Sequence, residues 1–362
     1  MKMNYRKLIY ILFIAILLVG CGESGRSGDE DAVDYKKPMS WGQSEIINTF
    51  ADGQIWDYGK MMLKQSLERE FFTTNNENLF TVKKRKISDI KNYYKFANLL
   101  LFCNLDSDES VSRYVKKILP ESALTIQDTS GYKIIPAEDF WAREQTVVFI
   151  IGKNTRKTLL PLYSPDKLNE LFNIFEQQER KRLKRITYRP GVDEKEIKYQ
   201  KQNYPWTIEL PKGFVVFKRD DKNNFVSYLL RVADHPDRFL AVFWEPMEED
   251  RVDKKWLREK RLEIGDEYYV GDEFSERDVN QKKINFNGRD GFKLWGRWQN
   301  YSNYTGGTFA AFAFYDEEQK MAYLIDNAVY FPPGDKLRSL IKLEIISKTF
   351  RTINQKPNEE EK

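Results

Sequence analysis

The first twenty-one residues set the terms on which the rest of this chain folds. Lys2, Arg6 and Lys7 give a basic start, Leu8 to Val19 is an apolar run, and small Gly20 precedes Cys21. The run is about a dozen residues, whereas a membrane-spanning helix needs roughly twenty. A basic opening, a short apolar stretch and a small residue before the junction describe an export signal that is cut away. Roughly 320 residues remain to fold, long for one core and comfortable for two.

Leu18-Val19-Gly20-Cys21 resembles the lipobox of bacterial lipoproteins. The resemblance implies that residues 1–20 are removed and that Cys21 carries fatty chains, two or more of which anchor a protein stably. Gly22 stands where an Asp holds many such proteins at the inner membrane, so the outer membrane is the expected site. Gly22 to Lys37 is rich in Gly, Ser and Asp and holds too little apolar surface to fold, so residues 21–40 read as a tether. With Cys21 lipidated, Cys103 is the thiol left in the body and no intramolecular disulfide can form. It lies in Leu99-Leu100-Leu101-Phe102-Cys103, which reads as a buried strand with an inert thiol.

Beyond the tether the pattern gives two α+β units. Residues 41–189 read as a mixed α/β sandwich, with strands at 44–50, 79–88, 94–104 and 146–152 and helices at 56–72 and 110–119. Thr146 to Gly152 is apolar throughout, as a strand buried on both faces is. A long helix follows Ser164-Pro165-Asp166, which supplies a cap, a proline at the first position and an acid in the first turn. Residues 190–203 are polar with breakers at both ends and read as a linker. Residues 204–352 read as an antiparallel sheet covered by helices. Strand, turn and strand fall at 206–210, 211–213 and 214–218, with further strands at 225–232 and 239–244. A charged helix is expected at 253–262. Asn287-Gly288 between strand-like runs is a hairpin signal. Another hairpin is expected over 309–331 and a closing helix over 335–350. Residues 353–362 read as a disordered tail.

The chain has a formal charge of +4, but Lys2, Arg6 and Lys7 leave with the signal, so the mature charge is +1. No clustered basic surface of the kind that neutralises phosphates is evident, and no nucleic acid is expected as partner. His235 is the one histidine and sits in Asp234-His235-Pro236-Asp237, a turn. That argues against histidine metal sites and Ser–His or Cys–His catalysis. No glycine-rich phosphate loop is present, and no cofactor is expected. Acid clusters at Glu248-Glu249-Asp250 and at Glu263, Asp266 and Glu267 read as solvated surface. The basic run Arg180-Lys181-Arg182, Lys184, Arg185 and Arg189 reads as complementing a helix C-terminus, or as contact with anionic lipid headgroups.

The most distinctive segment is 292–307. On a strand, Phe292, Leu294, Gly296 and Trp298 share one face and Lys293, Trp295, Arg297 and Gln299 the other. Tyr301, Tyr304 and Gly306-Gly307 follow in a polar loop. Flat aromatics beside Asn, Gln and Arg stack on and hydrogen-bond sugars, and also anchor protein interfaces. Trp295, Arg297, Trp298, Tyr301 and Tyr304 are therefore the candidate ligand or partner residues. The competing reading is that these rings are core packing.

Leu294-Trp295-Gly296-Arg297-Trp298, Gly306-Gly307-Thr308-Phe309, Ala313-Phe314-Tyr315-Asp316 and Ser347-Lys348-Thr349-Phe350 resemble an uncharacterised Bacteroidota lipoprotein family, the domain of unknown function 4837. The resemblance extends to Asp139-Phe140-Trp141-Ala142 and spans most of the mature chain. It implies envelope localisation and supplies no established catalytic residues to carry over. The order of elements in the second unit is also similar to the PsbP/Mog1-type sandwich. These readings lead to a lipid-anchored, non-enzymatic binding or accessory module, with a glycan or an envelope protein as partner. The alternatives are an envelope glycan hydrolase with paired carboxylates and a structural subunit of an envelope assembly.

Overall fold

In the computed structural model, which describes residues 36–127 and 129–353, a five-stranded sheet opens the chain. Its strands are β1 (Ile46–Ala51), β2 (Thr81–Lys84), β3 (Asn98–Asn104), β4 (Tyr132–Glu138) and β5 (Thr146–Gly152). They lie in the order β2-β1-β3-β5-β4, parallel except for the edge strand β4. β3 and β5 are buried along nearly their whole length, as their unbroken apolar sequence requires. Helices α1 (Gly53–Leu67) and α3 (Pro165–Tyr188) cover one face, and α2 (Ser110–Ile118) the other. Ser164 caps α3 as expected, its hydroxyl accepting from the Lys167 amide. Cys103 is buried, and burial, with Asp52 nearby, pushes its thiol up to about 12.

Three expectations in this half differ. The helix expected over 56–72 ends at Leu67, and Glu70 and Phe71 pair with Asn78 and Glu77 in a short hairpin. Residues 79–104 do not form two long strands: a short turn of helix occupies 87–93 between β2 and β3. Strand β4 was not expected at all. Its pattern is only half-buried, because it is an edge, so the sequence lacks the apolar run that marks β3 and β5.

The stretch read as a linker is mostly helix, α4 (Glu194–Asn203). Asp193 caps it, accepting from the amides of Lys195 and Glu196. Its inward anchor is polar. Gln200 is fully buried, donating to the Tyr228 hydroxyl at 3.1 Å and accepting from the Ile208 amide at 2.9 Å. A helix held this way shows no apolar stripe in sequence.

The second sheet has seven antiparallel strands: β6 (Val215–Asp220), β7 (Phe225–Leu230), β8 (Asp237–Pro246), β9 (Val279–Phe286), β10 (Arg289–Asn300), β11 (Thr305–Asp316) and β12 (Met321–Tyr330). Their order is β9-β10-β11-β12-β8-β7-β6. Asn287 and Gly288 both take positive φ (52° and 88°), the two-residue turn their types favour, and set the β9–β10 register. Trp206 and Thr207, expected to lead a hairpin, pair instead with Arg351 and Thr352.

One face of this sheet packs on α6 (Leu337–Ser347) and residues 204–214, through Trp206, Phe312, Phe314, Tyr323 and Leu343. The other packs on α5 (Lys254–Tyr268), which runs a turn and a half past its expected end. Ala241, Ala311, Ala313, Ala322 and Ala328 lie on that second face, and their small size admits α5 closely. Helix α6 is shared: Leu340, Leu343 and Ile346 belong to the second sheet's core, while Leu337 and Ile341 belong to the core under α3. The described residues from Met39 onward form one compact unit. Among the described residues no helix is long and apolar enough to cross a membrane. Cys21, its lipobox, most of the tether and the tail from residue 354 lie outside the described residues.

Candidate functional site

The sequence candidates divide between the two faces of β10. Trp298 is buried on the α5 face, where its ring lies over Gly307 of the neighbouring strand; a Cβ there would sit 2.6 Å from the indole nitrogen. Gly307 is thus room for the indole, and for the Val329 carbonyl of the strand beyond. Trp295 and Arg297 lie on the opposite face. Arg297 stacks over Phe72 at 4.4 Å and donates to the Thr73 carbonyl at 2.6 Å, so it ties the sheet to the first half. Tyr301 and Tyr304 stand at the tip of the β10–β11 hairpin, 68 % and 94 % exposed. The five residues do not share one surface. Of the five, Trp298 lines a cavity beside the hairpin; Tyr301, Tyr304, Trp295 and Arg297 do not line it, although Asn303 and Thr305 of the same hairpin do.

That cavity, about 380 Å³, opens between the C-terminal end of α5 and the sheet. Its size is within the range of small-ligand sites, roughly 300–1,000 Å³. Its walls are rings: Phe217, Phe239, Tyr268, Tyr269, Trp298 and Tyr330. Phe217 and Tyr269 are nearly parallel, 8° apart with centroids at 6.3 Å, and Phe239 meets both edge-on. Lys218, Arg231, Asp237, Asn303 and Thr305 add polar groups to the lining. Arg231 grips Asp237 in a two-point pair, Nε to Oδ1 at 3.0 Å and Nη2 to Oδ2 at 2.7 Å.

Beneath the rings lies a charged floor. Arg261 of α5 is fully buried beside buried Asp326 of β12, with Nε 3.3 Å from Oδ2, and its guanidinium lies 4.7 Å over Phe309. The pair is incompletely satisfied: among the described residues, Arg261 Nη1 and Asp326 Oδ1 have no hydrogen-bond partner, and neither has the nearby Trp298 indole nitrogen. Burial pushes the Asp326 carboxyl up, against the pull of Arg261. Asp272, at the cavity wall, is likewise raised, by burial first, while its hydrogen bond from Asn300 and nearby Arg261 oppose the shift.

The loop that closes the cavity is fixed from both ends. The Gly265 carbonyl accepts from the amides of Tyr269, Gly271 and Asp272, and a Cβ on Gly265 would fall 1.9 Å from the Asp272 carbonyl oxygen. Buried Asn300 donates to the Tyr269 and Val270 carbonyls and to Asp272 Oδ1. These bonds hold Val270 at φ 61°, a costly conformation for a β-branched residue, with its side chain exposed at the cavity mouth.

The remaining candidates behave as surface. His235 is exposed in its turn, and the acids at 248–250 and at 263, 266 and 267 are exposed. Among the described residues no group of three or more His, Cys, Asp or Glu is placed to hold a metal.

A family model described as "Domain of unknown function (DUF4837)" matches residues 193–349. The match covers less than half of the chain. The family is the one expected from the motifs at 294–298, 306–309, 313–316 and 347–350; the match leaves Asp139–Ala142 and the first sheet outside it. The DUF4837 segment runs from the cap of α4 to just past α6 and contains the whole cavity. No curated protein matches the chain. Among solved structures, it is similar to the Saccharomyces cerevisiae Ran-binding protein Mog1p at 12 % identity, over 41 % of this chain and 90 % of that one, with a TM-score of 0.30. It is similar to a protein of unknown function, PA94, from Pseudomonas aeruginosa, a putative regulator, at 14 % identity over 42 % and 92 % (TM-score 0.26). LpqN of Mycobacterium tuberculosis, involved in cell envelope biogenesis, is similar at 14 % over 40 % and 81 % (TM-score 0.26).

Proposed function

We propose that this chain is a non-enzymatic binding module of a bacterial cell envelope. It is held to the outer membrane by lipid on Cys21, and the cavity of its DUF4837 segment takes a sugar ring. The observation that carries the reading is the cavity's composition: six aromatic rings and a lining of Lys, Arg, Asp, Asn and Thr around about 380 Å³. Rings give a saccharide its stacking surface, and fixed polar side chains give its hydroxyls partners. The unpaired donors on Arg261 and Trp298 favour a ligand that carries oxygen.

The hydrolase reading has one observation in its favour, the raised Asp272 carboxyl at the cavity wall. Against it, each acid there already has a protein partner: Asp237 has Arg231, Asp272 has Asn300, and Asp326 has Arg261. The test is saturation-transfer NMR of the full chain with soluble envelope-type oligosaccharides. Transfer to the sugar that disappears in Phe217→Ala, with no cleavage product, supports binding. Cleavage that stops in Asp272→Asn supports the hydrolase, and absence of transfer to any sugar overturns both.

A further inference from the structure

On the opposite face of the sheet the basic run of α3 acquires a different setting from the one its sequence suggests. Arg182 turns inward. It is buried, pairs with Glu179 at 3.2 Å, and donates to the Glu144 and Ala97 carbonyls at 2.9 Å. Arg185 pairs with Glu144. Arg180, Lys181 and Lys184 instead line a groove of about 590 Å³, whose other side is β9, β10 and the end of α6. Those elements bring Lys282, Lys293 and Lys348, so six cations from four elements meet around one cavity.

Glu344 is the carboxylate in that lining. Burial pushes its carboxyl up, but Lys293 and Arg180 outweigh burial and hold it below the usual range. Both cations are paired to it, Arg180 also to Glu176, and Lys181 to Glu138. Among the described residues, Lys184, Lys282 and Lys348 lie within ion-pair distance of no carboxylate. Lys348 sits over the Phe286 ring at 4.2 Å. Burial, helped by Lys293 and Arg180 and opposed by Glu344, draws its ammonium down to about 8. Positive charge is thus concentrated here beyond what the protein's own acids neutralise, a field that raises local anion concentration. The floor is apolar, from Ile284, Phe312 and Ile345. The groove shares Arg180, Lys282, Lys293 and Glu344 with a second cavity of about 510 Å³, walled by Phe71, Phe72, Phe172 and Trp295.

We infer that this groove binds a phosphate-bearing ligand. The phosphate sits among Lys184, Lys282 and Lys348, and an attached ring or chain extends toward Trp295. The chemistry is shared by a free phosphorylated metabolite and a phospholipid headgroup. It is independent of the sugar cavity, which lies on the other face of the sheet.

The test uses the full chain carrying Cys21→Ser, so that no acyl anchor intervenes. Inorganic pyrophosphate is titrated calorimetrically, and sedimentation is measured with vesicles of phosphatidylcholine alone or mixed with phosphatidylglycerol. Pyrophosphate binding that weakens at least about tenfold in Lys282→Gln/Lys348→Gln, but not in Lys255→Gln on α5, supports a free phosphorylated ligand. Co-sedimentation only with phosphatidylglycerol, lost in the same double variant, supports a headgroup. Binding should also weaken from about pH 7 to about pH 9, as Lys348, which faces Lys293, Arg180 and Glu344, loses its proton. No binding of either probe, or binding equal in the double variant, overturns the inference. Lys282 is exposed, and Lys348 reaches solvent along its stem while its ammonium rests against the Phe286 ring, so a folded variant is expected.

Discussion

Arg261 and Asp326 are the residues on which the cavity floor depends. A buried pair adds little net stability, but deleting one partner strands the other charge. Arg261→Met should therefore destabilise the chain by about 3–5 kcal/mol, and adding Asp326→Leu should recover much of that loss, both read from urea unfolding midpoints. A double variant no more stable than the single one would contradict the coupling. Asp272 gives a pH signature. Its raised carboxyl favours the folded state where it is protonated, below the ordinary value of about 4. That contribution is lost as pH rises through the folded-state value. Asp272→Asn is uncharged throughout and can still accept from Asn300, so its stability relative to wild type should be higher at neutral pH than near pH 4. Parallel denaturant curves at the two pH values check the sign.

At the scale of elements, the hairpin of residues 70–78 reaches across to α6. Buried Glu77 accepts from the amides of Lys336 and Leu337 at 2.8–3.0 Å and from the Thr73 hydroxyl, so it caps a helix some 260 residues away in sequence. Glu77→Ala leaves buried donors unpaired and should cost about 1–3 kcal/mol, with faster hydrogen exchange confined to the first turn of α6. Elements governed by local rules were legible: the Ser164 cap of α3, the Asn287-Gly288 hairpin, the apolar strands β3 and β5. Elements fixed by distant partners were not. Helix α4 is anchored through the amide of Gln200, β4 is a half-buried edge, and the last turn and a half of α5 shows solvent its acids while its buried side holds Ile264 and Gly265. Trp206 and Thr207 find their partners only at the other end of the domain.

For the molecule as a whole, the α+β class and the DUF4837 segment were readable from sequence, while the cavity was not. Its lining comes from β6, β8, α5, β10 and β12, joined only by the sheet order. Alternation along β10 already placed Trp295 and Trp298 on opposite faces, Trp298 lining the ring-walled cavity and Trp295 the cavity of about 510 Å³ beside the basic groove. Trp298 also offers a direct reporter, since its indole nitrogen is an unpaired donor at the ring-walled cavity. The decisive measurement is the indole region of a 15N-correlated NMR spectrum during titration with a sugar that gives saturation transfer. The Trp298 signal should move in step with binding while that of Trp206, buried beneath the other face, stays fixed. Sugar binding that leaves Trp298 unmoved, or that moves Trp295 instead, would place the ligand elsewhere and contradict the assignment of this cavity.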